Sequence, residues 1–374
     1  MTRSSSVTPE TFATFGDLLK FLRRRAGWIP FVFVLPLLAF GFVLIAACAS
    51  APRATLTPEP AVDAFTMNQR IGRAINLGNA LEAPTEGEWG VVLKEEFFQL
   101  IQDAGFTAVR IPVRWNAHAE TSAPYTIAPD FFKRVDWAVS QALARGLVVV
   151  LNIHHYEEMM QDPQANTERF LGLWKQIAEH YQNYPSALMF ELLNEPNSRL
   201  GAKTWNDLIA ATLPVVRASN PTRKIVVGPA QWNSYQALQD LRLPADDLQL
   251  IVTFHYYEPF QFTHQGAEWV DGSAAWLGTD WTGSRAQKQT LQFHFDGVAQ
   301  WAKDNQRPIF LGEFGAYRKA DLASRARWTA FVAREAEKRG FSWAYWEFCA
   351  GFGVFDQSSG AWNEPLLQAL LPPQ

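Results

Sequence analysis

The chain has 374 residues, of which 48% are hydrophobic, and its formal net charge is -4. This composition excludes an intrinsically disordered chain, and 33 basic against 37 acidic residues, scattered along the chain, argue against binding to nucleic acid. Aromatic residues make up 14% of the chain, with 15 Trp, and their flat apolar rings suit a surface that stacks on partners such as sugars.

Residues 1–47 read as a membrane-targeting segment. Four basic residues between positions 20 and 25 precede the uncharged stretch 28–47, WIPFVFVLPLLAFGFVLIAA. At about 1.5 Å per residue, this stretch is long enough to cross a bilayer as a helix. It ends in IAAC at 45–48, which resembles the bacterial lipobox. We therefore expect either cleavage and lipidation at Cys48 or an uncleaved signal anchor, and both place the rest of the chain outside the cytoplasm, membrane-anchored or secreted.

Residues 48–62 read as a Pro-rich linker. The only cysteine besides Cys48 is Cys349. If Cys48 is lipidated, Cys349 has no partner, so we expect no intrachain disulfide.

From residue 63 to residue 374, short apolar runs alternate with amphipathic segments. The runs are AINLGN (74–79), AVRIPV (108–113), LVVVLNIHH (147–155), LMFELLNEP (188–196), KIVVGP (224–229), LIVTFHYY (250–257), PIFLGEFG (308–315) and SWAYWEF (342–348). Helical patterns lie between them, for example at 94–105, 129–146 and 167–184. Eight such units predict one closed (β/α)8 barrel with parallel strands. A doubly wound sheet is the competing arrangement, but no G-x-G-x-x-G loop follows the first run.

Polar or amphipathic side chains stand at the end of every run. They are Asn79, Arg110, His154, His155, Asn194, Glu195, Trp232, His255, Tyr257, Glu313, Trp346 and Glu347. A single polar residue at a strand end is unremarkable, because every strand must leave the core. In a (β/α)8 barrel, however, these ends converge on one mouth, where catalytic groups sit.

Glu195 and Glu313 are the pair that this convergence singles out. They end the fourth and seventh runs, which places them across the mouth from each other. Cleavage of a glycosidic bond needs two such carboxyl groups, one protonated and one ionised, and the residues near them can separate their pKa values. The alternative is a pair of glutamates that only form salt bridges at the rim.

Six segments in order resemble glycoside hydrolase family 5, the cellulase family of retaining barrel enzymes. They are VRIPV around Arg110, NIHHY with His154 and His155, LLNEP around Glu195, FHYYEPF with His255 and Tyr257, LGEFG around Glu313, and YWEF with Trp346. The resemblance covers residues 63–370. NLGNALEAP and FTHQGAEWV are also similar to a bacterial subgroup of endoglucanases that accept mannan.

The resemblance implies a double-displacement mechanism with Glu195 as general acid/base and Glu313 as nucleophile. It also implies roles for the side chains around them. Asn194 would bond the sugar 2-hydroxyl, and Arg110 and Tyr257 would hold Glu313 ionised. His154 and His255 would line the subsite that holds the distorted sugar, and Trp346 would form the stacking floor of that subsite. Sugar hydroxyls would be contacted by Asn79, Glu82 and His155.

The segment 258–285 is longer than an ordinary βα loop and carries five large aromatic residues. Such rings either extend a cleft for a polymer or pack the loop against the rim. Trp269 is the preferred binder, because the segment resembling the family contains it.

Two other classes of function remain to be separated from hydrolysis of β-1,4-glucan or β-mannan. A zinc hydrolase could assemble His154, His155, His255 and Glu195, but the first run ends without H-x-H and H-E-x-x-H is absent from the sequence. A catalytically silent barrel could bind glycans only. We expect a monomer that acts on β-linked polysaccharide or oligosaccharide without a cofactor, a metal or nucleic acid.

Overall fold

A computed structural model describes residues 62–373, which form a closed barrel of eight parallel strands in chain order. The strands are β1 (Arg73–Asn76), β2 (Ala108–Ile111), β3 (Val148–Asn152), β4 (Leu188–Glu191), β5 (Ile225–Val227), β6 (Leu250–His255), β7 (Ile309–Phe314) and β8 (Ser342–Tyr345). Strand β8 pairs with β1 and closes the barrel. The eight runs expected from the sequence are these eight strands, so the (β/α)8 prediction is confirmed.

Helices surround the barrel and connect its strands. They are α1 (Ala64–Ile71), α2 (Glu95–Ala104), α3 (Pro129–Ala144), α4 (Glu157–Gln161), α5 (Pro163–Tyr181), α6 (Ala202–Ser219), α7 (Phe260–Thr263), α8 (Arg285–Asn305), α9 (Leu322–Lys338) and α10 (Glu364–Leu370). Short 3-10 helices cover Trp115–His118, Tyr235–Asp240 and Ser273–Trp276, and a two-stranded hairpin pairs β9 (Phe355–Asp356) with β10 (Ala361–Trp362).

Local sequence explains where these helices begin. Helix α8 starts with a capping box, in which the Ser284 side chain and Gln287 bond each other's backbone N–H groups. Helix α5 begins at Pro163, four residues before the predicted helical pattern. Asp162 accepts a hydrogen bond from the Ala165 N–H there, and proline is favoured in the first turn.

Side chains that point into the barrel form two layers of different chemistry. The lower layer is apolar and consists of Ala74, Ala108, Val148, Val150, Met189, Val226, Ile251, Phe310 and Ala344. Two residues further along five of the strands, on the same face, stand the fully buried polar residues Asn76, Arg110, Asn152, Glu191 and Thr253. The apolar layer holds the barrel together, and the polar layer lies directly beneath the mouth.

Helix α1 closes the opposite end of the barrel. Ala64, Met67 and Ile71 pack against the lower layer, and all three are buried. Asn68 donates to the Ile309 carbonyl at 2.9 Å and accepts from the Ser342 hydroxyl at 2.7 Å, which ties the helix to β7 and β8.

The predicted targeting segment 1–47, the candidate lipidation site Cys48 and the predicted linker as far as residue 61 lie outside the described residues. Between residues 62 and 373, no helix is both long enough and apolar enough to span a membrane. Cys349, in the described part, is buried and forms no disulfide.

Candidate active site

Glu195 and Glu313 lie close together at the C-terminal mouth of the barrel. Glu313 belongs to β7, and Glu195 follows the end of β4 by four residues. A carboxylate oxygen of each glutamate and one ring nitrogen of His255 all lie within 4.8 Å of one another. Both carboxyl groups can therefore reach the same bond of a molecule bound in the mouth.

Arg110 of β2 organises the groups below this pair. Its Nε and Nη2 donate to the two oxygens of Glu191 at 2.6 and 2.8 Å. Nη1 donates to Asn76 Oδ1 at 2.9 Å and to Glu313 Oε1 at 2.7 Å, while Nη2 also donates to Asn194 Oδ1 at 2.7 Å. All five N–H groups of the buried guanidinium are used, so its position is fixed and it cannot turn away from Glu313.

Glu313 is held by donors on both of its oxygens. Besides Arg110 at Oε1, the Tyr257 hydroxyl donates to Oε2 at 2.9 Å. Burial raises the pKa of Glu313, and His255, Arg110 and the Tyr257 hydroxyl oppose that rise. Donors to the charged form favour an ionised carboxylate at this position.

Glu195 stands in a different environment. Its side chain is 24% exposed, and its Oε1 lies 2.7 Å from His255 Nδ1. Burial, opposed by Arg110 and aided by Glu191, raises the pKa of Glu195 to about 7. Within residues 62–373, Glu195 forms no ion pair with arginine or lysine, so this carboxyl group can keep its proton near neutral pH.

An aromatic surface lies beside the two glutamates. Trp346 is half-buried, and its ring lies nearly parallel to that of His154, at 10° and 5.8 Å between centroids. Gly78 leaves room for it, since a Cβ there would lie 3.0 Å from the indole ring. His155 contacts the exposed Trp89 edge-on at 5.3 Å. Trp346, His154 and His155 therefore form one aromatic wall of the mouth.

The loop after β1 carries two of the predicted site residues. Asn79, three residues after the end of β1, is half-buried and has a left-handed φ of 64°. Glu82, which was expected to contact hydroxyls, is fully buried, and its oxygens accept from the N–H groups of Asn79 and Ala80. Glu82 therefore shapes the loop that carries Asn79, and its contact with sugar hydroxyls stays a prediction. Burial raises the pKa of Glu82 to about 8.

The long loop after β6 contains buried as well as exposed aromatic residues. Phe262 and Trp281 are buried and pack the loop against the rim. Trp269 is 60% exposed and Phe260 is 37% exposed. Trp269 packs edge-on against Tyr317 at 4.9 Å, which leaves one side of its indole accessible.

Sequence reasoning missed three residues that shape the site. Glu191 and Asn76 both bond Arg110, and Asn233 contacts His255 from the fifth strand-to-helix connection. The signal for Glu191 was available in FELLNEP: a charged residue inside an otherwise apolar strand must be paired if it points inward. Asn233 lies in no recognisable pattern.

Glu195, His255 and Glu313 are also the one group in the described part of the chain whose ligand atoms are near enough to hold a metal ion. Arg110 already places its positive charge 2.7 Å from Glu313. Of the histidines considered for zinc, His154 accepts a hydrogen bond from Asn152 at 3.1 Å through Nδ1. The arrangement fits a hydrogen-bonded carboxylate pair better than a metal centre.

A cavity of about 1190 Å³ lies elsewhere, on the outside of the barrel between α6 and the segment that precedes β6. Its lining includes Arg217, Arg242 and Asp247 and none of the site residues predicted from the sequence. The chemistry therefore belongs to the mouth, not to this groove.

Two facing carboxyl groups at a barrel mouth, one held by arginine and one beside an aromatic wall, define the class of the glycoside hydrolases. The profile of the cellulase family, glycosyl hydrolase family 5, matches residues 73–351. The chain belongs to this family.

Relatives agree with that assignment. Endoglucanase H of Acetivibrio thermocellus is 39% identical over 303 residues, which are 81% of this chain and 32% of the relative. Endoglucanase B of Clostridium cellulovorans is 27% identical over 93% of this chain and 83% of its own length. The chain thus spans about a third of endoglucanase H, and it covers 40% of the cellulase/esterase CelE of the same organism.

Solved structures are similar over the whole barrel. Thermotoga maritima Cel5A, solved in complex with cellobiose, is 55% identical and superposes with a TM-score of 0.82, covering 83% of this chain and all of the Cel5A chain. The same enzyme has been solved with mannotriose.

Proposed function

We propose that the protein hydrolyses internal β-1,4-glucan linkages with retention of the anomeric configuration. One observation carries the proposal: oxygens of Glu195 and Glu313 lie within 4.8 Å of each other at the mouth. A retaining mechanism requires carboxyl groups about 5–5.5 Å apart, whereas inversion needs about 6.5–9.5 Å to admit a water molecule.

The surroundings of each glutamate support its role. Glu313, with donors at both oxygens, is the nucleophile that attacks the anomeric carbon. Glu195, whose pKa is raised to about 7, donates its proton to the departing oxygen and then accepts one from the attacking water. Because Arg110 occupies Oδ1 of Asn194, the amide nitrogen of Asn194 is left to donate to the sugar 2-hydroxyl.

The aromatic wall supports binding of a sugar chain. Trp346 forms the floor of the subsite that holds the distorted sugar, with His154 and His255 around it, and Asn79 and His155 contact hydroxyls. Trp269 and Phe260, both exposed, extend the surface along which a polymer would lie. An extended surface suits cleavage inside a chain more than trimming of its ends.

β-1,4-Glucan is the first candidate substrate and β-mannan the second. Support comes from Thermotoga maritima Cel5A, solved with cellobiose and with mannotriose. Initial rates on carboxymethylcellulose, lichenan, xyloglucan and glucomannan decide the order. Glucomannan as the best substrate would favour the mannan alternative.

We also propose that the protein is anchored outside the cytoplasm as a monomer. Support comes from the uncharged stretch 28–47 and from IAAC at 45–48. Mass spectrometry of the mature N-terminus separates a lipidated Cys48 from an intact Met1, and light scattering of the barrel measures its oligomeric state.

Replacement of each glutamate tests the mechanism. Glu195→Gln and Glu313→Gln should each lower hydrolysis of a soluble β-glucan by at least about 1,000-fold while the melting temperature stays close to that of the parent. Proton NMR of the first products should show the β-anomer. Parent-like hydrolysis by both variants would contradict the assignment, and a parent that binds glucan without any turnover would indicate a glycan-binding barrel.

A further inference from the structure

The connection after β5 contains a left-handed turn made without glycine. Gln231, Trp232 and Asn233 have φ values of 59°, 58° and 53° in succession. Residues with side chains seldom adopt this region, and such strain persists where the surrounding structure enforces it. The turn brings the Asn233 side chain into the barrel, where it is fully buried. Gly228 makes this possible, because a Cβ at that residue would collide with Asn233 Oδ1.

The buried amide contacts the ring of His255. Asn233 Nδ2 lies 3.2 Å from His255 Nε2, while the other ring nitrogen, Nδ1, lies 2.7 Å from Glu195 Oε1 and 3.6 Å from Glu313 Oε2. An amide nitrogen can only donate, so Nε2 must accept. A neutral imidazole that accepts at Nε2 carries its single proton at Nδ1, where it faces the two glutamates.

Burial favours the neutral form of the His255 ring near neutral pH. Burial lowers the pKa of His255 to about 4, with Arg110 adding to the shift and Glu313 and Glu191 opposing it. The other titratable groups around His255 and Glu195 are Tyr257, which donates to Glu313, and His154. The hydrogen bond from Tyr257 to Glu313 is compatible with a proton on Nδ1 of His255.

We propose that Asn233 is a positioning residue that fixes the tautomer of His255 and thereby selects which oxygen of Glu195 carries the transferable proton. The Nδ1–H of His255 occupies Oε1 of Glu195. Oε2 of Glu195 forms no hydrogen bond within residues 62–373 and is left to hold the proton. When the C–O bond breaks and Glu313 bonds the anomeric carbon, this proton moves from Oε2 to the leaving oxygen. The inference rests on the proposed function for that last step only.

A rotation of the Asn233 amide by 180° would give the opposite result. Oδ1 would then accept from an Nε2–H, and Nδ1 would accept from Glu195 Oε1, which would have to carry the proton. The proton position on the ring therefore separates the two arrangements, because hydrogens are inferred from such contacts and not seen.

Nitrogen-15 NMR of the full chain, with labelled histidine, measures the tautomer without reference to activity. The signal of His255 among the seven histidines is assigned by its loss in His255→Gln. Between about pH 6 and about pH 8 we expect a neutral His255 ring with its proton on Nδ1. In Asn233→Asp, whose side chain only accepts, a proton should appear on Nε2. A parent ring protonated on Nε2 alone would overturn the proposal.

Two substrates then separate proton donation from folding. Cellotetraose needs an acid for its leaving group, whereas 2,4-dinitrophenyl β-cellobioside does not. Asn233→Asp should lower kcat/KM for cellotetraose by at least about 10-fold and that for the aryl glycoside by less than about 3-fold. Gln231→Gly, in the same turn but exposed, is the matched control and should change neither. Equal losses on both substrates, or none, would overturn the proposal. A parent inactive on both substrates would contradict the proposed function instead, and the NMR result would still stand.

Discussion

Arg110 Nη1 lies 2.7 Å from Glu313 Oε1, although the two residues are 203 positions apart and belong to β2 and β7. The same guanidinium pairs with Glu191, so one cation faces two buried carboxylates. Glu191 accepts hydrogen bonds from two of the five N–H groups and so holds the guanidinium in place. The position of Glu313 thus depends on a residue that never faces the mouth.

Replacement of Arg110 by lysine should impair both catalysis and stability. Lysine offers a point charge with three donors and cannot bond Glu191, Asn194 and Glu313 in this planar pattern. We expect kcat/KM to fall by at least about 100-fold and the free energy of unfolding to fall by about 3 kcal/mol. Arg145→Lys, at a surface ion pair with Glu95, is the control and should change unfolding by less than about 0.5 kcal/mol. Equal effects of the two variants would refute the organising role of Arg110.

The alkaline side of the pH profile should report Glu195. The acid must be protonated, and its pKa is raised to about 7, so kcat/KM should be full below that value and fall as the pH rises through it. For a 2,4-dinitrophenyl β-cellobioside the same decline should be absent, because the leaving group needs no proton. Rates measured on both substrates from about pH 4 to about pH 9, a range that covers the acidic and the alkaline limb of the profile, check this expectation. An identical decline on both would assign it to another group.

The acidic side of the profile should respond to Tyr257. Its hydroxyl donates to Glu313 Oε2 at 2.9 Å and favours the ionised nucleophile. Tyr257→Phe removes this donor, which raises the pKa of Glu313 and moves the acidic limb to higher pH. Loss of one hydrogen bond to a charged group should lower kcat by about 10- to 100-fold. Tyr235→Phe, whose hydroxyl contacts Gln236 and not the glutamates, is the control. A Tyr257→Phe limb that stays in place would contradict the contact's role.

Trp269 should affect binding of long substrates and leave the chemical step intact. Its indole is 60% exposed and lies on the loop after β6. We expect Trp269→Ala to raise KM for cellohexaose by about 5- to 30-fold, as loss of an aromatic stacking surface worth about 1–2 kcal/mol would do, with kcat nearly unchanged. Phe293→Ala, at a 77% exposed position on α8, should change neither constant. A fall in kcat without a change in KM would point to a role in the chemical step.

Sequence periodicity located the barrel because strands buried on both faces are continuous apolar runs, and each run ended where a polar side chain reached the mouth. The same reasoning placed Glu195 and Glu313 across that mouth, where the structure has them. It could not assign their roles, since these depend on which carboxylate Arg110 reaches through space.

The side-chain directions of Glu82 and Asn233 could not be predicted, because both residues lie in loops. Glu82 reads as one more polar residue beside Asn79, but its carboxylate turns inward to the N–H groups of its own loop. Asn233 depends on a backbone conformation that no residue pattern near it announces. In both cases the direction of a side chain is set by the fold of a loop, and hydrophobic periodicity carries no information about loops.

Helix α1 sets a limit on how far the chain can be shortened from its N-terminal side. Asp63 caps this helix by accepting from the Thr66 N–H at 2.9 Å, and Met67 and Ile71 seal the barrel from below. A cut directly before Asp63 would keep the cap, the helix and the barrel. A cut after Ile71, at the end of this eight-residue helix, would remove the seal and expose the apolar layer to water, so an intact and a disrupted barrel are separated by a very short length of chain.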